Sequence, residues 1–349
     1  MGIVTIVGAG MMGTAMAVPA LDNGHEVRVV GTHLDREIVD RLRVDGWHLN
    51  MKRTIPEGVR YFQIEELEAA LEGADLLIGG VSSFGVEWFA DRVLPKIPDS
   101  LPVLMVTKGM AADGEGNLSP FPRYLAGKFP GRRLLLNAVG GPCISYELVD
   151  RNQTCVAFCG EEMAVLRRIK DMLATDYYHI SLSTDVAGVE CAVALKNAYA
   201  LGVSLAIGLG NRKNGPEAKE EYNPQAALFG QSVKEMGKLI KLAGGDPENN
   251  IVYGAGDLYV TVFGGRTRRI GTLLGEGKTY AQAVELLAGV TLESVAIIRV
   301  ILGALDKLER RGLADRKDFP LMLEMGRLLE DGETVDVPWQ RFEREEALE

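Results

Sequence analysis

The stretch "GIVTIVGAGMMGTAMAVPA", residues 2–20, decides how the chain is read. It is apolar and glycine-rich, so a leader peptide or a membrane span has to be considered first. A leader needs a basic n-region, which is missing here, and the apolar run is too short and too interrupted to cross a bilayer. The β-branched run from Ile3 to Val7 reads instead as a buried strand followed by a turn and a helix. In that context Gly8, Gly10 and Gly13 form the G-x-G-x-x-G fingerprint of a dinucleotide-binding turn. Gly8 permits the tight turn, Gly10 lets backbone approach a pyrophosphate, and Gly13 lets the helix pack close on the strand. The helix N-terminus then faces the phosphates with its partial positive charge.

Working outward, the next strand lies in "HEVRVVGTHLDRE" (25–37). In NAD-binding turns such a strand ends in an acidic residue that holds the ribose. Here it ends in Gly31, Thr32 and His33, and Arg36 with His33 could meet a 2′-phosphate. Either NAD or NADP is expected, with a slight preference for NADP; the alternative is that Thr32, His33 and Arg36 are ordinary loop residues.

Strand and helix patterns then alternate. "GVRYFQI" (58–64), "DLLIGGVSS" (75–83) and "LPVLMVTKG" (101–109) read as strands, and "EELEAALEGA" (65–74) and "VEWFADRVLPKI" (86–97) as helices. "RRLLLNAVGGPCISYEL" (132–148) reads as a strand entering a Gly-Pro turn and a helix. This alternation predicts a parallel sheet with helices on both faces, whose ligands bind beyond the carboxyl ends of the strands. The segments "GVSS", "TKG" and "GGP" fall there. From about residue 185 the period becomes helical throughout, as in "DVAGVECAVALKNAYALGVSLAIGLG" (185–210), "SVAIIRVILGALDKLERRG" (294–312) and "FPLMLEMGRLLEDG" (319–332). The fold class is therefore α/β: a Rossmann-type parallel-sheet domain over 1–184, then an all-helical substrate domain over 185–349. One long helix starting near Asp185 is expected to connect them, and the charged tail after Val335 to fray.

The 349 residues are enough for roughly two domains, with 47% hydrophobic and 25% charged content. A net charge of −10 repels polyanions, so nucleic acid is a poor partner. The cysteines Cys143, Cys155, Cys159 and Cys191 form no CxxC pair and no metal spacing, which suits a reducing cytoplasm and no bound metal. No run beyond the N-terminus is expected to reach transmembrane length.

Lys196 and Asn197 sit side by side within the apolar helical run 185–210. A lysine there needs a partner or a task, because burial disfavours its charge; otherwise its stem snorkels to the surface. The segments "GAGMMGTAMA", "TKGM", "GPCISYEL", "GVECAVALKN" and "GAGDLYVTVFGGRTRR" occur in the order and spacing of the NAD(P)-dependent glycerol-3-phosphate dehydrogenases, and nearly the whole chain resembles that family. The resemblance implies reduction of dihydroxyacetone phosphate to glycerol 3-phosphate. It makes Lys196 the general acid/base, Asp257 its carboxylate partner and Lys108 a second active-site lysine that orients the substrate. It also implies substrate contacts at Gly141, Asn197, Thr261, Arg266 and Thr267, and cofactor contacts at Met11, Met12, Ser82, Lys108 and Glu293. A homodimer is expected as well.

Two departures from the family pattern stand out. Thr267 replaces an asparagine after "GGR", and Gly230, Gln231 and Ser232 stand where a small residue, arginine and glycine are usual. Altered phosphate contacts are therefore expected, leaving open a longer polyol or sugar phosphate as substrate. A non-catalytic nucleotide sensor is the remaining alternative; it would have no use for Lys196 together with Asp257.

Overall fold

The computed structural model describes residues 1–330 and 332–343. It contains the strands β1 (Ile3–Val7), β2 (Glu26–Val30), β3 (Trp47–His48), β4 (Arg53–Thr54), β5 (Val59–Phe62), β6 (Leu76–Gly79) and β7 (Val103–Met105). The series continues with β8 (Met110–Ala112), β9 (Leu118–Pro120), β10 (Leu136–Gly140), β11 (Thr154–Gly160) and β12 (Tyr178–Ser183). The chain forms two compact units: residues Met1–Gly109 with Pro120–Glu190, and residues Met110–Ser119 with everything from Cys191 onward.

The sheet unit carries eight strands in the order β12-β11-β10-β7-β6-β1-β2-β5. Val4, Ile6, Val27, Val29, Leu76 and Ile78 are buried in its core, as continuous apolar strands covered on both faces should be. All pairs are parallel except β10 with β11. The expected parallel sheet is thus present with one antiparallel pair added, and the cause of that pair is the length of the link. The link's only helix, Ser145–Val149, has five residues and spans roughly 7 Å, too little to carry the chain back along a strand. The first helix is also interrupted, running Met11–Ala15 and then Ala17–Asp22. Pro19 explains the break, since it has no N–H to return to the carbonyl of Ala15.

The helical unit is built around the helix Lys196–Asn214, whose residues from Ala198 to Gly208 are all buried. Helices Tyr222–Leu242, Pro247–Val262, Gly265–Gly275, Tyr280–Leu286, Glu293–Arg310 and Pro320–Leu328 complete it. It is not purely helical: the β8–β9 ribbon belongs to it, with Met110 and Leu118 buried in the same core and Lys307 Nζ donating to the Asp113 carbonyl at 3.2 Å. Strands of three residues carry too little periodicity to be seen in sequence.

The expected connecting helix is two helices, Val186–Ala194 and Lys196–Asn214, separated at Leu195; nothing in the structure explains this break. The stretch Val186–Asn214 does reach membrane-spanning length and apolarity, contrary to expectation: it has 29 residues, and its most apolar 18-residue window has a mean hydropathy of 1.5. Its most apolar window is 83% buried inside the protein, which marks a core helix. The tail does not fray directly after Val335. The Asp336 N–H donates to Glu324 Oε1 at 2.8 Å, Val337 is buried, and Trp339–Phe342 makes a short 3-10 turn. The rest of that expected fraying, over residues 344–349, and the helical reading at Asp331 lie outside the described residues.

Glu235, fully buried on the helix Tyr222–Leu242, ties three helices together. It accepts from Tyr199 Oη at 3.0 Å, Gln231 Nε2 at 2.7 Å, the Leu321 N–H at 2.8 Å and the Met322 N–H at 3.0 Å. Burial raises its pKa to about 7, against the opposing pull of Gln231, the two backbone donors and Tyr199. A carboxyl that binds its proton more tightly folded than unfolded stabilises most below about pH 4.5, and this contribution is lost as pH rises through about 7. Thermal denaturation of the wild type and of Glu235→Gln across pH 5 to 8 checks this: the wild type should lose up to about 3 kcal/mol relative to the variant as pH rises.

Candidate active site

Parallel pairing aligns the ends of β1, β2, β6, β7 and β10 along one edge of the sheet unit. Just beyond that edge lie Gly8, Thr32, Ser82, Lys108 and Gly141. Gly8 has φ 113°, and a Cβ there would stand 2.6 Å from the Gly80 carbonyl carbon. A Cβ on Gly13 would stand 2.2 Å from Gly8 O. A Cβ on Gly10 would meet only Gly80 O, at 3.9 Å, so the backbone borders open space where a diphosphate needs it. The three glycines thus fit a dinucleotide, two through internal packing and one by leaving room. Met11 and Met12 follow at the helix start, with Met11 exposed.

The β2 turn is more constrained than the sequence suggested. Asp35 Oδ2 accepts from the Thr32 N–H and Thr32 Oγ1, both at 2.8 Å, and from the Ala9 N–H at 3.2 Å. A carboxylate therefore does lie near the end of β2, turned inward to brace the glycine loop. Sequence reasoning passed over Asp35; the Thr32-x-x-Asp35 spacing of a side-chain-capped turn was the available signal. Arg36 is ion-paired with Glu65, and the exposed His33 ring lies 5.9 Å from that of Trp88. Ser82 is exposed. Lys108 is half-buried and its Nζ donates to Gly141 O at 2.9 Å, so these two expected substrate contacts come together. Glu190 is also fully buried, and neither carboxyl oxygen has a hydrogen-bond partner. Burial pushes its pKa well above the usual carboxylate range, with the charge of Lys108 acting the other way.

In the helical unit Lys196 opens its helix, and its Nζ lies 2.6 Å from Asp257 Oδ1. The lysine side chain is 16% exposed and the aspartate 1%. Lys196 therefore keeps a small accessible window while its partner is sealed in. Asn197 beside it is half-buried, and Thr261 Oγ1 donates to the Asp257 carbonyl at 2.7 Å. The helices Lys196–Asn214 and Gly265–Gly275 touch backbone to backbone: a Cβ on Gly271 would lie 2.5 Å from Leu201 O, and one on Gly275 2.2 Å from Leu205 O. These contacts advance together along both helices, so the two run parallel and begin at the same end. Lys196 and Asn197 start one, and Arg266 and Thr267 occupy the first turn of the other. Arg266 is 53% exposed and 3.8 Å from Glu293 Oε2. Arg268 is engaged at 2.6 Å by Glu220 and donates to the Val262 carbonyl.

The second departure proves internal. Gln231 serves Glu235, and Ser232 Oγ donates to the Leu228 carbonyl at 2.6 Å, both buried, while Gly230 is exposed. Gln231 and Ser232 are therefore both bonded within the core. Glu235 itself was overlooked, although an acid among Leu228, Met236 and Leu239 on one helix face was a visible anomaly.

A glycine-rich first turn on a doubly wound sheet, and a helical unit holding a buried lysine against a carboxylate, are the parts of a nicotinamide-dependent oxidoreductase. Comparison with known proteins agrees. The N-terminal model of the NAD-dependent glycerol-3-phosphate dehydrogenases matches residues 3–165 and the C-terminal model matches 185–340. An NADP(+)-dependent glycerol-3-phosphate dehydrogenase of Archaeoglobus fulgidus is 34% identical over 82% of this chain and 83% of its own. A glycerol-3-phosphate dehydrogenase [NAD(P)+] of Alcanivorax borkumensis is 28% identical over 85% of this chain and 82% of its own. The crystal structure of glycerol-3-phosphate dehydrogenase from Coxiella burnetii shares the fold, with a TM-score of 0.78 over 98% of this chain and 97% of that one at 23% identity. The chain belongs to the NAD-dependent glycerol-3-phosphate dehydrogenase family.

The Lys196–Asp257 pair makes a stability prediction. Removing one member of a buried pair leaves an uncompensated charge at a cost of about 3–5 kcal/mol, whereas apolar replacement of both is often neutral. Lys196→Met should lower the denaturation midpoint strongly, and adding Asp257→Leu should restore most of it. Additive losses in the double variant would show that the pair is not coupled.

Proposed function

We propose that this enzyme interconverts dihydroxyacetone phosphate and sn-glycerol 3-phosphate with Lys196 as general acid/base. The observation that carries the reading is the 2.6 Å pair between Lys196 and the sealed Asp257. Asp257 orients the ammonium, and the small exposed part of Lys196 reaches toward substrate. A reduced nicotinamide, held at the glycine loop, would supply the hydride that C2 of the ketone accepts. Lys196 donates its proton to the carbonyl oxygen as that oxygen gains charge, and takes it back in the reverse direction. Lys108 and Gly141 orient the substrate, and Asn197 and Thr261 are hydrogen-bonding groups for it. Arg266 holds the phosphate: it sits in the first turn of an 11-residue helix, where the guanidinium fork and the helix N-terminus both attract an anion. Thr267 shares that turn. The named relatives support the three-carbon substrate over a longer polyol phosphate, and a nucleotide sensor would leave the lysine–carboxylate pair without purpose.

Steady-state kinetics on two substrates test these roles. Lys196→Gln should lower kcat by about 10²–10⁴-fold with cofactor affinity little changed. Arg266→Ala should lower kcat/KM for dihydroxyacetone phosphate by roughly ten- to a hundredfold, since a charge-assisted contact contributes about 1.5–3 kcal/mol. Any weak activity on unphosphorylated dihydroxyacetone should survive the arginine change. Equal losses on both ketones would remove Arg266 from the phosphate site, and normal turnover in a folded Lys196 variant would remove the general acid.

The reading extends to cofactor choice: NADPH is accepted at least as well as NADH. Thr32, His33 and Arg36 at the end of β2 support it, as does the printed cofactor of the Archaeoglobus fulgidus relative. The ratio of kcat/KM for the two nucleotides decides it, and a strong preference for NADH would refute it. Glu293, on the helix Glu293–Arg310, is proposed as a further cofactor contact.

A further inference from the structure

Ala9, between the first two glycines of the loop, is completely buried and held from two directions. Its N–H donates to Asp35 Oδ2 at 3.2 Å, and its carbonyl oxygen lies 3.0 Å from His48 Nε2. His48 is itself fully buried, and its Nδ1 accepts the Met51 N–H at 3.1 Å. An imidazole that accepts at Nδ1 in its neutral form carries its proton on Nε2. His48 is therefore the Nε2–H tautomer and donates to the Ala9 carbonyl. Burial pushes its pKa down and favours this neutral form; its bonds to the loop backbone and the charge of Asp35 act the other way. The residue reaches the loop from β3, part of a two-stranded ribbon outside the main sheet.

The consequence follows from peptide planarity. The Ala9 carbonyl and the Gly10 N–H belong to one trans peptide and point in opposite directions. Holding the carbonyl on His48 thus fixes the Gly10 N–H facing away from the histidine, at the one of the three loop glycines whose Cβ position is open. We infer that His48 is a positioning residue for the dinucleotide: it orients the Gly10 amide for the diphosphate, while Asp35 braces the other side of Ala9. The inference rests on the glycine loop being the cofactor site.

Two conservative variants separate positioning from mere support of the fold. In His48→Gln the side-chain amide nitrogen stands near the place of Nε2 and still donates to Ala9. In His48→Asn the amide oxygen stands near the place of Nδ1, keeping the Met51 contact and losing Ala9. The Kd for NADPH, titrated by its fluorescence on substrate-free protein, should rise about tenfold in the Asn variant and stay within about threefold of wild type in the Gln variant, one net hydrogen bond being about 1.4 kcal/mol. Turnover at saturating cofactor should stay within about twofold for both. Equal Kd values for the two variants, or weaker binding by Gln than by Asn, would overturn the inference. If neither variant folds, amide exchange in the wild-type protein without cofactor decides: the Met51 N–H, which His48 Nδ1 accepts, should be as protected as those of β1, and exchange at the rate of an exposed loop would overturn the inference. A wild-type protein that binds neither NADPH nor NADH would instead overturn the cofactor assignment on which the inference stands.

Discussion

The helical unit is organised by a contact that admits no side chains. Where the helices Lys196–Asn214 and Gly265–Gly275 meet, a Cβ on Gly208 would lie 2.1 Å from Thr272 O, as tight as the contacts at Gly271 and Gly275. Any larger residue at these points would force the helices apart, because interiors at crystal-like density have no slack to absorb it. The contact also sets the register between the two helices. Since both begin at the same end, it brings the turn bearing Lys196 and the turn bearing Arg266 to one side of the unit. The remaining helices pack around this pair, with Tyr199 and Glu235 linking it to the helices Tyr222–Leu242 and Pro320–Leu328.

Among the described residues three carboxyl groups are completely buried and are treated in three ways, and the differences separate chemistry from architecture. Asp257 has a cation at 2.6 Å, so its charge is matched and a lysine is held in place. Glu235 has four donors and a raised pKa, which makes it a polar rivet between helices. Glu190 has no hydrogen bond at either oxygen, and burial pushes its pKa well above the usual carboxylate range. Desolvation alone costs a carboxylate several kcal/mol, so each group needs a partner or a proton.

The glycine loop shows the same economy in backbone. Its dinucleotide-binding geometry depends on residues outside the fingerprint. Asp35 and His48 occupy hydrogen-bonding groups that would otherwise face the interior unsatisfied, and in doing so they set which amides remain to meet a ligand.

Much of this was legible in the residues themselves. The fingerprint Gly8, Gly10 and Gly13 announced the turn because each glycine has a local steric reason, and the β1 strand was visible because its apolar run is continuous. The helical half was legible from its period, and Lys196 stood out because a charge in an apolar run is an anomaly wherever the chain folds. What needed the tertiary structure depends on distant segments. The antiparallel β11 follows from a link too short to cross the sheet, and the β8–β9 ribbon joins the helical unit because Met110 and Leu118 find their core there. Asp257 could be matched to Lys196 only through resemblance; the 2.6 Å contact spans 61 residues of sequence. The partners of Gln231 and Ser232, namely Glu235 and the Leu228 carbonyl, appeared only with the fold. His48 carries no pattern of its own, since its task is defined by a carbonyl 39 residues earlier. Local sterics and periodicity are written along the chain, whereas the partner of a buried polar group is chosen only when packing brings remote segments within a hydrogen bond of each other.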